Sequence, residues 1–296
     1  MLRTRSAPFD KLRTSRRAAA LAATTLTAAL VPALIPAPAH AWAPADSATI
    51  TPGVQMYTQG AQCTANFVYT DSAANVYVGY AAHCAGLGEA TDTNGCAATS
   101  LPLGTPVTFN EGGSLLSEGT VIGKGTLAYS SWVTMQERGT TDENTCAYND
   151  LALVKVSSGD KGKVNPSVPI WGGPTGIDTD GTAAGDRVYS YGNSSVRADL
   201  DLLSPKIGLS LGDDSSGTRW SHPLYNLTPG IPGDSGSGFL NSEGEAVGTL
   251  STLGLLPLPG SNNIGDLDLE LEYAQATSGI SGLRLVEGTE PFSGVL

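Results

Sequence analysis

The chain has 296 residues, 28 of them acidic and 16 basic, for a formal net charge of −12. Such an excess of acid repels nucleic acid and anionic membrane surfaces, so neither is expected as a partner. Thirty-seven glycines and eighteen prolines fit an all-β chain of short strands and tight turns.

Residues 1–41 read as a cleaved secretory signal. Arg3, Arg5, Lys11, Arg13, Arg16 and Arg17 make a basic n-region, Ala18 to Leu34 an apolar h-region, and Ala39-His40-Ala41 an A-x-A cleavage signature. A membrane anchor is the alternative, but the stretch is too short and too alanine-rich to span comfortably. Ser15-Arg16-Arg17 leaves a twin-arginine route open. Removing six basic groups and one acid, Asp10, moves the formal charge from −12 to −17. Removing residues 1–41 from 296 leaves 255, more than a typical domain but enough for two small barrels sharing a cleft. Residues 42–49 are then a short N-terminal segment. All four cysteines, Cys63, Cys84, Cys96 and Cys146, lie in the exported part, as suits an oxidising compartment. Four cysteines allow three pairings, and none has the close spacing of a metal site.

The rest reads as short β-type runs parted by turn residues. These are Asn66–Thr70, Asn75–Ala81, Pro106–Phe109, Thr120–Ile122, Ser131–Met135, Leu151–Val156, Arg187–Tyr191, Gly238–Leu240 and Ala246–Ser251. The polar stretch Lys161 to Pro166 is the natural midpoint, giving a first unit of residues 50–165 and a second of 166–296. Asp142 and Glu143 precede Cys146 in what reads as a polar loop. Asp178-Thr179-Asp180-Gly181 begins like a calcium loop, but the later ligands fail the spacing, so it reads as a solvated turn. No cofactor and no metal is expected. Asp266 to Ala276 is the one candidate helix, although its leucines at 267, 269 and 271 have an ambiguous spacing of two.

Three short motifs carry chemistry. His83 lies in Tyr80-Ala81-Ala82-His83-Cys84, Asp150 heads the apolar run Leu151–Val156, and Ser235 sits in Pro232-Gly233-Asp234-Ser235-Gly236-Ser237-Gly238. An acyl-transferring serine needs one base and one acid to orient that base, so the three suffice. Gly233 and Gly236 permit a sharp turn at the serine, with the amides of Gly233 and Ser235 aimed at a developing oxyanion. His222 is the other histidine left after signal cleavage and reads as an ordinary loop residue.

The motifs resemble those of the trypsin/chymotrypsin-like serine proteases, in their secreted bacterial form, whose patterns run roughly T-A-A-H-C, D-I-A-L and G-D-S-G-G. The order His, Asp, Ser is theirs too. Gln62-Cys63-Thr64-Ala65-Asn66-Phe67 resembles the strand before the histidine, and Val188 to Ser194 the G-W-G-N stretch. The resemblance covers most of the chain after residue 50. It implies two Greek-key antiparallel β-barrels with the active site in the cleft between them, and a short C-terminal helix. It implies disulfides Cys63–Cys84 and Cys96–Cys146, a primary pocket based at Pro229 and walled by Ser251, Thr252 and Leu253, and a neutral residue before the cut bond. Asp234 is the acid that zymogen members pair with a new N-terminus. Ile50-Thr51-Pro52-Gly53 departs from their I-V-G-G, so a different partner is implied here. The function implied is a secreted, monomeric serine endopeptidase acting on peptide or protein. A catalytically silent binding protein on the same fold is the alternative. A lipase-like esterase would need a histidine after the serine, and none exists beyond residue 235.

Overall fold

A computed structural model describes residues 41–87, 94–197, 200–212, 217–254 and 260–296. The expected signal lies, apart from Ala41, outside these described residues. Among them no helix is long and apolar enough to cross a membrane.

Seven strands come first: β1 (Gln55–Thr58), β2 (Ala61–Thr64), β3 (Val68–Thr70), β4 (Val76–Ala81), β5 (Pro106–Glu111), β6 (Thr120–Ser130) and β7 (Leu151–Val156). Seven more follow: β8 (Arg187–Tyr191), β9 (Pro205–Ser210), β10 (Ser221–Asn226), β11 (Gly238–Leu240), β12 (Ala246–Gly254), β13 (Ser261–Asp266) and β14 (Arg284–Leu285). The helices are α1 (Ser131–Arg138), α2 (Glu143–Tyr148) and α3 (Leu267–Thr277).

The second set closes into an antiparallel barrel in the order β10-β13-β12-β11-β8-β9. The first forms an eight-stranded sheet, β14-β3-β4-β7-β6-β5-β1-β2. Strands β2 and β3 are three residues apart in sequence yet lie towards opposite ends of that order, so the sheet must curl back on itself. Counted as two arms of one bent strand, they give the order β1, β2/β3, β4, β7, β6, β5, which returns to β1. The closed barrel repeats it with β8, β9, β10, β13, β12, β11. In each, the fourth strand returns beside the first, which is the Greek-key arrangement. The fold is therefore the two-barrel architecture that the resemblance implies, with β14 added outside the first barrel against β3.

The apolar runs explain the packing. Five of the six residues of β7 and all six of β4 are buried. Met56, Val78, Phe109, Leu127 and Val154 fill the first barrel, and Val188, Leu224, Phe239, Val247 and Ile264 the second. Phe67, Leu151, Leu153, Trp171, Leu240, Leu267 and Leu271 form a third cluster that joins strands of both barrels to α3.

Two local readings are corrected. Ser131–Met135 is not a strand but the opening of α1. Its β-favouring Trp132, Val133 and Thr134 are followed by Gln136, Glu137 and Arg138, good helix formers, and Gly139 closes the helix in the left-handed conformation at φ 63°. Burial of Trp132 and Met135, three apart on one face, overrides local preference. Asp142 and Glu143 do not lie in a loop either. Asp142 caps α2, its carboxylate accepting the N–H of Thr145 at 2.8 Å.

Candidate active site

Strand register builds the site. In the β4–β7 ladder Ala81 faces Leu151, so the residues just beyond that pair, His83 and Asp150, meet at one end. His83 stands in a 3-10 turn over Ala82–Ala85. Its Nδ1 lies 2.7 Å from Asp150 Oδ2, and its backbone N–H donates to Oδ1 at 2.8 Å. The Ala82 N–H donates to the Asp150 carbonyl at 2.6 Å. Asp150 is 5 % exposed at its side chain and His83 20 %, so the acid is enclosed while the imidazole reaches solvent. Enclosure acts to lower the His83 pKa, but the charge and hydrogen bond of Asp150 outweigh it and hold the pKa above 6.5.

Ser235 arrives from the second barrel. Gly233 and Gly236 flank it with φ of 95° and 88°, angles that glycine adopts without strain. A Cβ on Gly236 would lie 2.6 Å from the Thr64 carbonyl oxygen and 2.8 Å from the Ala81 nitrogen, so the turn sits hard against β2 and the end of β4. Thr64 N–H donates to the Ser235 carbonyl at 2.8 Å, and Gly236 N–H to that of Leu250 at 2.7 Å. The turn is thus wedged between the barrels, against the strand end that leads into His83. Among the described residues the His83 side chain hydrogen-bonds Asp150 alone, and no hydrogen bond joins Ser235 Oγ to the imidazole. That bond is often long in resting sites and tightens with substrate.

The amides around the serine divide into two groups. Those of Asp234, Gly236 and Ser237 donate to Ile231, Leu250 and Asp234 carbonyls. Those of Gly233 and Ser235 have no acceptor among the described residues.

Asp234 finds partners that the sequence leaves open. It is fully buried, and its Oδ2 accepts from Arg197 at 2.5 Å and lies 3.0 Å from Lys206 Nζ. The Ser194 and Ile231 N–H groups donate to it at 3.1 Å. Burial pushes the Lys206 amine below its usual range, against the opposing pull of Asp234.

Of the expected pocket residues, Thr252 is tied to Gly230, the neighbour of Pro229, by a residue that the sequence did not single out. Buried Asn262 accepts the Gly230 N–H at 2.8 Å and donates to the Gly230 and Thr252 carbonyls at 3.2 and 3.4 Å. The Pro229 carbonyl accepts from Arg197 at 2.9 Å. Ser251, expected in the pocket wall, donates its hydroxyl to Asp150 Oδ2 at 2.6 Å. The Leu253 side chain lies outside the described residues.

The cysteines pair as Cys63–Cys84 and Cys96–Cys146, the first tying β2 to the His83 turn. Cys63, His83 and Cys84 bring metal-ligand atoms within 4.8 Å of one another, but both sulfurs are committed to that disulfide. His222 is not a loop residue. It is fully buried in β10, with Nε2 3.0 Å from Asp266 Oδ2. Asp178 closes its own turn by accepting the Asp180 and Gly181 N–H groups, and it is buried against Asn241 rather than solvated.

No family model and no curated protein matches the chain. Among solved structures it is similar to Thermobifida fusca Protease A, at 18 % identity over 81 % of this chain and 99 % of that one, with a TM-score of 0.49. Nocardiopsis Protease follows at 18 % identity over 80 % and 98 %, TM-score 0.44. Cellulomonas bogoriensis chymotrypsin has 16 % identity over 80 % and 98 %, TM-score 0.47. At these values the likenesses add nothing to what strand order and site geometry carry by themselves.

Proposed function

We propose that the chain is a secreted serine endopeptidase that cleaves peptide bonds through an acyl-enzyme on Ser235. His83 takes the serine proton as attack proceeds and returns it to the leaving amine. Asp150 fixes the imidazole tautomer and stabilises the imidazolium without itself taking the proton. The amides of Gly233 and Ser235 receive the oxyanion, where one such donor is worth roughly 3 kcal/mol. The observation that carries this reading is the buried Asp150 bonded to Nδ1 of a part-exposed His83 beside the Ser235 turn. Residues 1–41 direct export, and two disulfides support an oxidising compartment. Residues 50–165 supply the base and acid, residues 166–296 the nucleophile, and the molecule acts as a monomer. The silent-binder alternative draws on the missing Ser235–His83 hydrogen bond.

Selectivity for a neutral residue before the cut bond follows from charge. Pro229 offers none, and the nearest acid in the sequence, Asp234, is buried and paired with Arg197 and Lys206. A lysine- or arginine-selective pocket needs a carboxylate free to meet its cation. Purified protein given chromogenic peptides varied at that one position should prefer Ala, Val, Leu or Phe. Arg or Lys ahead by about tenfold, which is about 1.4 kcal/mol, would mean that an acid enters the pocket from another segment.

A further inference from the structure

Glu270 lies in the first turn of α3 with its side chain fully enclosed. Its Oε1 accepts the backbone N–H of Asp150 at 2.9 Å. The carboxyl occupies the space beside Gly265, where an added Cβ would come within 2.4 Å of Oε1. Every polar group of Asp150 is then engaged. Its carbonyl takes Ala82 N–H, Oδ1 takes His83 N–H, and Oδ2 takes His83 Nδ1 and the Ser251 hydroxyl. Glu270 alone among these partners belongs to the C-terminal helix.

We propose that Glu270 is a positioning residue for the His83–Asp150 pair, holding from α3 the backbone on which the Asp150 carboxylate is mounted. This rests on the triad reading above. A backbone N–H at that depth needs an acceptor, since an orphaned one costs roughly 1–3 kcal/mol. A glutamine offers the N–H the same acceptor, and the surroundings favour the uncharged form of the acid. Burial pushes the Glu270 carboxyl well above its usual 4.5, and the charges of Asp150 and Asp266 push the same way. The Asp150 N–H and the Thr249 hydroxyl pull against them. The phenols of Tyr69 and Tyr129, the other titratable groups it acts on, have their own pKa values raised by burial first and by Glu270 in smaller part. In its uncharged form Glu270 meets the N–H without placing a second negative charge behind Asp150.

Two variants test this, read by kinetics and by NMR titration of the His83 ring. Glu270→Gln keeps the acceptor and the volume, so kcat should stay within about threefold of the parent and the His83 pKa within about 0.3. It should also gain stability over the parent as pH rises above 4.5. The carboxyl is more basic folded than unfolded, so the parent alone loses stability as pH climbs towards the folded value. Glu270→Leu removes the acceptor. It should lower kcat by about tenfold or more with little change in KM, and let the His83 pKa fall towards 6.5. A folded Glu270→Leu protein with parental kcat and parental His83 pKa would overturn the proposal. So would a Glu270→Gln protein with its His83 pKa displaced or kcat reduced about tenfold, and this arm decides the matter if the leucine variant does not fold. The titration needs no turnover. An inactive parent whose His83 responds as expected would therefore refute the protease reading while supporting the role of Glu270.

Discussion

Replacing Ser235 with Ala, or His83 with Ala, is expected to reduce amide hydrolysis by about ten-thousand-fold or more, and the double replacement should be scarcely worse. The non-additivity follows from the chemistry. Without the serine there is no hydroxyl for His83 to activate, and without the imidazole the hydroxyl is a weak nucleophile at its own pKa. The geometry gives His83 the needed asymmetry, with Nδ1 held by a carboxylate at 2.7 Å and the ring part-exposed. Steady-state kinetics on all three variants measures this. Activity surviving His83→Ala would remove it as the base. His222 would be a poor substitute, because it is fully buried and bonded to Asp266.

Asp234→Ala is expected to cost about 3–5 kcal/mol of stability, because it strands two buried cations. Arg197 is 7 % exposed at its side chain and Lys206 not at all. For a domain of this size that lowers the melting temperature by roughly 10 °C. Activity should fall too, by about a hundredfold, since Asp234 stands between the two amides proposed for the oxyanion. Lys206→Met should behave differently. It deletes one cation of two, leaves Asp234 bonded to Arg197 and two backbone N–H groups, and replaces a charge by an apolar chain of similar length. Removing a buried charge whose counter-ion keeps another partner is close to neutral or stabilising. Calorimetry of the two variants separates these cases. Lys206→Met as damaging as Asp234→Ala would make Lys206, not Arg197, the essential counter-ion.

Strands with two buried faces were legible because their apolar runs end abruptly at Gly, Asp and Asn. Leu151–Val156, Arg187–Tyr191 and Gly238–Leu240 match the observed strands residue for residue. The α1 segment misled because Trp, Val and Thr favour strands locally, while the burial that makes it helical comes from other parts of the chain. The site divides in the same way. His83, Asp150 and Ser235 each sit in a local motif. The groups that hold them come from far along the chain: Ser251 lies 101 residues from Asp150, and Glu270 120. Pairwise spacing says nothing about such partners. One signal was nonetheless present for Glu270. On a helix, position 270 shares a face with Leu267, Leu271 and Ala274, and an acid on an apolar stripe calls for a buried partner. Asn262, Arg197 and Lys206 carried no comparable signal, since isolated polar residues in loops and strands usually face water.

The central claim, that Ser235 is an activated nucleophile rather than a turn residue, is tested most directly by a fluorophosphonate probe on the purified protein. Such a probe reacts with a serine hydroxyl only where a base and oxyanion donors are in place. The expected result is one modified peptide, carrying the probe on Ser235, with the modification lost in His83→Ala. Folded protein that takes up no probe, or takes it up at a different serine, would contradict the claim and favour a two-barrel protein that binds without cutting.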